Sequence, residues 1–195
     1  MVDRPLWQLS ACDLADRIAS RDVTATQAVE AALERVHAVN PRINAIVEDL
    51  GDEALARAAE LDRTMQQSGP VGPLHGVPVT IKENVDQAGT ANTNGVPANA
   101  NLIAEIDAPL VSNLPTAGAI VFGRTNTPEF SMRATTVNPL RGRTYNPWDP
   151  DASAGGSSGG AGAACASGLG VVHHGNDIGG SLRFPAFANG VTTVK

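Results

Sequence analysis

The stretch Gly-Gly-Ser-Ser-Gly-Gly at residues 155–160 decides the fold of this chain, together with the small-residue segment that follows it. A run of glycine and serine on its own is most often a flexible linker. A linker does not usually open into a helix, however, and the alanine-rich residues 160–167 predict one. Free backbone N–H groups and the helix dipole at such a start favour developing negative charge. The stretch therefore indicates a functional loop that carries Ser157 and Ser158.

A second glycine loop lies downstream, where Asp177-Ile178-Gly179-Gly180-Ser181 follows a β-prone run at residues 171–174. Paired glycines let successive backbone N–H groups turn toward one point, as in an oxyanion hole built around a serine nucleophile. The loop predicts that Ser181 attacks a carbonyl carbon and that neighbouring N–H groups stabilise the carbonyl oxygen.

A lysine ends the apolar run at residues 77–81, upstream of both loops. Alone, such a lysine is usually a solvated strand end. Lys82 precedes Ser157 by 75 residues, and Ser157 precedes Ser181 by 24 residues. The three segments in this order and spacing resemble the amidase signature family, which includes fatty acid amide hydrolases, bacterial amidases and the A subunit of tRNA-dependent amidotransferases. The resemblance covers about residues 40–195.

By this resemblance, the catalytic triad is Lys82, Ser157 and Ser181. Neutral Lys82 takes a proton from Ser157, and Ser157 takes one from Ser181 as Ser181 attacks an amide and forms an acyl-enzyme. Ser157 follows a cis peptide bond with Gly156. A lysine that is neutral near pH 7 must be buried or lie beside positive charge, because its ordinary pKa is about 10.4.

The resemblance also assigns the groups around the triad. Backbone N–H groups form the oxyanion hole, and polar side chains support the loops. The N–H groups of the hole are those of Ile178, Gly179, Gly180 and Ser181. Asn84 and Ser158 orient the catalytic groups. Asp177 and Arg183 brace the loop. No cofactor and no metal ion is implied. One residue beside the site departs from the usual sequence of the family: Asn176 precedes Asp177, at a position where threonine is frequent.

The predicted fold class is α/β, the amidase signature fold, with a mixed β-sheet core flanked by helices and incomplete at its C-terminal side. Residues 1–70 predict an all-α helical layer, and residues 71–195 predict the N-terminal part of an α/β core in the same domain. Residues 10–13 and residues 24–27 both resemble capping boxes, led by Ser10 and Thr24, and Asn40-Pro41 is expected to end the second helix. A third helix is expected over residues 52–66.

β-Prone runs and helical stretches alternate after residue 70. Strands are expected at residues 77–81, 119–122 and 171–174, and helices at 107–117 and 160–167. Pro115 is expected to kink or delay the first of these helices. Residues 138–160 are rich in proline, glycine, asparagine and aspartate and predict a loop. Cys165 lies among small residues, so we expect a buried helix residue without chemistry.

The composition excludes several classes of function. The 195 residues carry 14 Lys and Arg against 20 Asp and Glu, a net charge of −6, with no basic stripe of the kind that binds nucleic acid. No apolar run is long enough to span a membrane, and the N-terminus does not resemble a signal peptide. The 2 cysteines are too few for a disulfide framework. We expect a cytoplasmic enzyme whose partner is a small-molecule amide, with a homo-oligomer left open.

Three other interpretations of these motifs fail. Residues 155–159 also fit the Gly-x-Ser-x-Gly elbow of α/β-hydrolases, but turn-forming residues precede them, and no histidine follows His174. His173 and His174 would point to opposite faces of a strand, and no partners lie at metal-ligand spacing. The phosphate-binding pattern Gly-x-x-x-x-Gly-Lys is absent.

The length leaves two further alternatives open. Members of the family are generally much longer, and this sequence stops shortly after Ser181. One alternative is a truncated fragment with an unfinished sheet, which would associate through its open edge and lack activity. The other is a protein like the amidotransferase A subunit, which acts on glutamine with partner chains. The sequence does not identify the amide that is cleaved.

Overall fold

The computed structural model describes residues 4–195. The helices are α1 Ala11–Ala19, α2 Ala25–Ile43, α3 Gly51–Ser68, α4 Pro109–Thr116, α5 Gly159–Ala166 and α6 Arg183–Asn189. The strands are β1 Ile46–Asp49, β2 Pro78–Lys82, β3 Ile120–Thr125, β4 Val137–Asn138, β5 Gly142–Arg143 and β6 Val172–His173. The fold class is α/β, as the sequence predicts.

Four strands form a mixed sheet in the order β1-β3-β2-β6. β2 runs parallel to both β3 and β6, whereas β1 runs antiparallel to β3. The predicted mixed sheet is confirmed, but β1 lies inside the first 70 residues, so the prediction of an all-α layer there is wrong. β1 has four residues, of which only Ile46 is fully buried. Its sequence therefore lacks the period-two pattern that indicates a half-buried strand.

Of the first three helices, α2 and α3 pack against the sheet. α1 begins after Ser10, whose Oγ accepts a hydrogen bond from the Asp13 N–H. Thr24 and Gln27 form a reciprocal capping box at the start of α2. The predicted capping box is therefore confirmed at Thr24, whereas Ser10 is an N-cap whose hydroxyl, and not its N–H, donates to the Asp13 carboxylate. The apolar stripe of α2 shares one core with α3 and with Phe122 of β3, and each large side chain buried there contributes about 1.5–3 kcal/mol.

Two prolines lie inside helices rather than beyond their ends. α2 continues through Pro41 to Ile43, so the prediction that Asn40-Pro41 ends the helix is wrong. The helix ends at Asn44, which has a φ of 54° and donates its N–H to the Asn40 carbonyl. Pro115 lies likewise in the last turn of α4. A proline in the last turn of a helix removes only one backbone hydrogen bond of that helix. In α2, the buried Ile43 side chain still holds the end of the helix on the core.

The remaining elements follow the predicted order. β2, β3, β6 and α5 confirm the predicted strands and the small-residue helix. Residues 138–160 are mainly loop, although β4 and β5 pair there as a short ribbon, and α6 was not predicted. Cys165 is exposed, so the prediction that it is buried is wrong. It follows the buried residues 159–164 at the end of α5 and faces a groove beside β6.

The sheet is open at β6. Within residues 4–195, β6 pairs with β2 and has no strand on its other side. This matches the expectation of a sheet that is incomplete after the second glycine loop. In the same range, no helix combines the length and the apolar character needed to cross a bilayer.

Candidate active site

Lys82 lies at the carboxyl end of β2 in a fully buried position. Every residue of this central strand is buried, so its last side chain also enters the interior. Lys82 Nζ lies 2.7 Å from Ser157 Oγ and 2.8 Å from Asn176 Oδ1. Burial lowers the pKa of Lys82 from 10.5 to about 7, and the negative charge of Asp177 opposes this shift. The lysine is therefore poised to exchange a proton near neutral pH.

Ser157 lies in the loop before α5 and is buried. The Gly156–Ser157 peptide bond is cis, as the resemblance implied. The backbone of Gly156 packs so closely that a Cβ there would overlap the Arg133 carbonyl oxygen. The close packing holds the Ser157 hydroxyl against Lys82.

Ser181 is half-buried in the second glycine loop, after β6. The Ser158 N–H donates to the Ser181 carbonyl at 3.1 Å, which ties the two loops together. Ser157 and Ser181 both line a cavity of about 840 Å³. No hydrogen bond joins their hydroxyl groups within residues 4–195. The structure therefore brings the three predicted residues to one site, with direct contact between Lys82 and Ser157.

The predicted oxyanion-hole residues differ in the state of their N–H groups. The N–H groups of Ile178, Gly179 and Ser181 have no acceptor within residues 4–195. The Gly180 N–H instead donates to Asp177 Oδ1 at 2.8 Å. The Gly180 N–H therefore already has an acceptor in the carboxylate that shapes the loop, unlike the other three N–H groups.

Asp177 organises the second glycine loop from beneath. Besides the Gly180 N–H, its carboxylate accepts from the N–H groups of Leu182 at 2.9 Å and Arg183 at 3.2 Å. The Arg183 guanidinium adds two bonds, at 3.1 and 2.9 Å. These contacts, led by the hydrogen bonds from Arg183, hold the pKa of the Asp177 carboxyl well below its usual range. Asp177 and Arg183 therefore lie in positions from which they can brace the loop.

Two further polar side chains connect the loops. The Ser158 hydroxyl donates to the Asn176 carbonyl at 3.2 Å, and the Asn176 N–H donates to Ser158 Oγ at 3.3 Å. Asn84 lies behind the lysine and contacts Asn176 and Ser131 rather than Lys82 itself. The Asn176 side chain was not predicted as part of the site. The only signal for it in the sequence is its departure from threonine beside Asp177.

Apolar side chains form the rim of the cavity. Phe130, Met132 and Phe184 line it, and they are 60%, 83% and 39% exposed. Ile178 is 99% exposed at the same rim. Phe130 and Ser131 have φ angles of 50° and 57°, which are uncommon for residues other than glycine. This wall offers an apolar surface next to the two serines.

The neighbouring histidines are structural in this arrangement. His173 Nδ1 lies 2.9 Å from Thr80 Oγ1, and His173 Nε2 lies 3.2 Å from the Gly170 carbonyl. His174 Nδ1 accepts from the Lys82 N–H at 3.5 Å. Burial lowers the pKa of both imidazoles to about 4. Residues 4–195 contain no cluster of three or more side chains suited to a metal ion.

Comparison with known proteins shows a family for this chain. The amidase family model matches residues 27–195. The chain is 60% identical over 191 residues to an indoleacetamide hydrolase of Bradyrhizobium diazoefficiens, covering 98% of this chain and 36% of that relative. It is 44% identical over 195 residues to an acylamidase of Rhodococcus erythropolis, covering 100% of this chain and 41% of that relative.

A solved structure gives the same picture. A bacterial aryl acylamidase of the amidase signature enzymes matches with a TM-score of 0.90 and 34% identity, over 94% of this chain and 38% of that chain. The chain thus spans between 36% and 41% of the length of these relatives.

Proposed function

This chain belongs to the amidase family, and on that premise we propose that it carries the catalytic residues of an enzyme that hydrolyses carboxylic amides. Ser181 is the nucleophile, Ser157 relays the proton and Lys82 is the base. The observation that carries the proposal is the 2.7 Å contact between Lys82 Nζ and Ser157 Oγ in a buried site. A pKa of about 7 leaves part of this lysine neutral at pH 7, as a general base requires.

The reaction has two halves. Ser181 Oγ bonds to the carbonyl carbon while its proton passes to Ser157 and the Ser157 proton passes to Lys82 Nζ. The C–N bond then breaks, and the amine takes a proton back through Ser157, which leaves an acyl group on Ser181. Water attacks this ester and gives a proton to the same relay. The Ser181 oxygen leaves with a proton, and the carboxylic acid is released.

Two features of the site bear on this sequence of steps. The relay needs the Ser181 hydroxyl to approach Ser157, and such contacts often tighten only when substrate binds. The free N–H groups of Ile178, Gly179 and Ser181 support an oxyanion hole at the mouth of the cavity. Each well-placed donor of this kind contributes roughly 2.7–4 kcal/mol to transition-state stabilisation.

The substrate class is proposed from the apolar rim. Phe130, Met132 and Phe184 place aromatic and thioether surface beside the serines. Such a wall suits an amide whose acyl group carries an aromatic ring. The relative named indoleacetamide hydrolase supports the same class. We therefore propose an arylacetamide as substrate.

The test is hydrolysis of indole-3-acetamide, measured as release of ammonia. It compares the 195-residue chain with a chimera in which this chain replaces the matching part of the Bradyrhizobium diazoefficiens relative. Lys82→Ala and Ser157→Ala should each lower kcat/KM by about 1,000-fold or more in the active form. His173→Ala and His174→Ala are matched controls that should retain most of kcat.

The opposite pattern would overturn the assignment. If Lys82→Ala retains turnover and His174→Ala abolishes it, the base is a histidine. If none of the forms releases ammonia from any arylacetamide or simple aliphatic amide, the amidase proposal fails.

A further inference from the structure

We propose that Asn176 and Asn84 form a positioning pair that holds an acceptor against Lys82 Nζ, so that the lysine lone pair stays available to Ser157. This inference rests on the proposed function, because it concerns the lysine that acts there as base. Neither asparagine is a catalytic residue, since both act through Lys82.

The two amide side chains lie face to face beside the lysine. Asn176 Nδ2 donates to Asn84 Oδ1 at 3.0 Å, and Asn84 Nδ2 donates back to Asn176 Oδ1 at 3.4 Å. Asn84 Nδ2 also donates to Ser131 Oγ at 3.0 Å. Asn176 Oδ1 lies 2.8 Å from Lys82 Nζ. The lysine therefore meets an amide oxygen whose orientation is held from the opposite side.

An amide oxygen accepts hydrogen bonds and cannot donate them. Lys82 must therefore donate one N–H to Asn176 whether the lysine is charged or neutral. In the neutral amine, Asn176 then takes one N–H and does not compete for the lone pair, which stays available to the other partner of Nζ, Ser157 Oγ at 2.7 Å. The Ser157 hydroxyl can then donate to Lys82 while its oxygen stays open to Ser181. A relay that ends on Lys82 requires this direction.

Rotation of the Asn176 amide by half a turn would reverse the arrangement. Its NH2 group would then face Lys82 Nζ and compete with Ser157 for the lone pair. The pairing with Asn84 opposes this rotation, because two donors would meet and both bonds between the amides would be lost. A threonine hydroxyl at position 176 both donates and accepts, so it would not fix the direction.

The pair also supplies polarity without charge. The charged and titratable groups near Lys82 are otherwise paired or neutral: Asp177 pairs with Arg183, Glu83 pairs with Arg141, and His174 has a pKa lowered to about 4. A carboxylate at position 176 would face Nζ at hydrogen-bond distance and stabilise the ammonium form. An amide at this position therefore keeps the lysine able to lose its proton.

The chain contains 2 lysines, Lys82 and Lys195, which makes a direct measurement simple. Protein labelled with ¹³C at lysine Cε gives two side-chain signals, and Lys195→Arg identifies which is which. The titration of Lys82 is followed by NMR from about pH 5 to about pH 11. Asn176→Asp should raise the Lys82 midpoint by at least about one pH unit. Asn113→Asp adds the same charge on an exposed position of α4 and should leave the midpoint unchanged.

A Lys82 midpoint that is the same in Asn176→Asp and in the wild type would overturn the proposal. If Asn176→Asp does not fold, Asn84→Asp is measured in its place. The carboxylate of that variant lies one hydrogen bond farther from Lys82 Nζ, so the expected shift is smaller. A rise of about half a pH unit then supports the pair, and no rise overturns it.

The direction of the hydrogen bonds is tested by turnover of the chimera. Asn84→Ala releases the Asn176 amide and should lower kcat at least about fivefold with little change in KM. An unchanged kcat would overturn the role of Asn84. The titration needs no turnover. A shifted Lys82 midpoint in a protein without amidase activity would therefore mean that the amidase proposal fails while the asparagine pair stands.

Discussion

Lys82 illustrates at the residue scale how burial converts an ordinary cation into a base. Its side chain is fully buried, and its neighbours at Nζ are a hydroxyl and an amide rather than a carboxylate. Lowering the pKa from 10.5 to about 7 corresponds to roughly 4–5 kcal/mol against the charged form. Burial of Lys82 therefore destabilises the folded protein at low pH, where the lysine is charged, and not at high pH, where it is neutral.

That cost predicts a pH dependence of stability. Because the folded pKa of Lys82 lies below the unfolded value, the unfolded chain binds more protons between about pH 7 and 10.5, and stability rises with pH across this window. The free energy of unfolding should increase by about 3 kcal/mol between about pH 7 and 9.5. Lys82→Met should lack this increase when both proteins are unfolded by urea. Parallel curves for the two proteins would contradict the buried-lysine account.

Arg124 is a second buried cation, with a structural role. Its guanidinium donates to the backbone carbonyl oxygens of Glu83, Val85 and Ala91 at 2.7–2.9 Å. These carbonyls belong to the segment that follows β2, so the arginine holds the chain that leaves Lys82. The Arg124 side chain is fully buried and also pairs with Glu48 at 3.4 Å.

Removing this arginine should be costly. Arg124→Met leaves several buried acceptors without a donor and should lower the free energy of unfolding by about 3–5 kcal/mol. Arg57→Met is the control, since Arg57 forms an exposed pair with Glu60 on α3 and should cost less than about 1 kcal/mol. Urea unfolding measures both, and equal losses would show that Arg124 is not a brace.

Sequence reasoning at this scale locates the three segments that meet at the site, because each carries its own glycine or strand pattern. It does not reveal the side-chain role of Asn176, since the amide partner Asn84 lies 92 residues away. It also treats all N–H groups of the loop as equal, whereas in the structure the Gly180 N–H is already bonded to the Asp177 carboxylate. Hydrogen-bond partners between distant loops depend on tertiary structure.

At the scale of elements, the site depends on parallel strands that end at the same edge. β2 lies between β3 and β6, so Lys82 and the loop after β6 emerge side by side. The long apolar-periodic helices and the strands β2 and β3 were predictable from their patterns. β1 and α6 were not, because β1 has four residues and α6 has seven, includes Pro185 and begins without a side-chain cap.

The loop before α5 gives a prediction at this scale. A Cβ on Gly156 would overlap the Arg133 carbonyl and the Thr135 N–H, both backbone groups, whereas a Cβ on Gly179 would meet nothing within 4 Å. Gly156→Ala should therefore lower the free energy of unfolding by at least about 2 kcal/mol, and Gly179→Ala by less than about 0.5 kcal/mol. Thermal unfolding followed by circular dichroism compares them. A Gly156→Ala protein as stable as Gly179→Ala would show that this loop is not tightly packed.

At the scale of the whole molecule, one core joins the helices to the sheet. Buried residues of α2, α3 and β3 share a single apolar cluster. We infer that residues 4–70, with their helices and β1, and the α/β part of residues 71–195 form one domain. The chain spans 36% of the indoleacetamide hydrolase relative, and its sheet is open at β6. The resemblance to the amidase signature family implied this open side, because the sheet of that family is completed by strands from C-terminal sequence.

Exposed apolar side chains and an unpaired strand edge predict self-association. Phe187 and Val194 are 85% and 88% exposed, and an unpaired strand edge lies at β6. We expect the 195-residue chain to associate as its concentration rises in sedimentation velocity. Phe187→Asp should weaken this association more than Val71→Asp, a change at a less exposed apolar residue. A monomer at every concentration would contradict the expectation.

The central claim is that Ser181 is the nucleophile of the Lys82 and Ser157 relay. A fluorophosphonate probe followed by peptide mass spectrometry tests it most directly, in the 195-residue chain and in the chimera. The account predicts that the chimera carries one adduct, on Ser181, that the adduct is absent in Ser181→Ala, and that it forms at least about 100-fold more slowly in Lys82→Ala. An adduct on Ser157, or labelling that persists in Ser181→Ala, would contradict it.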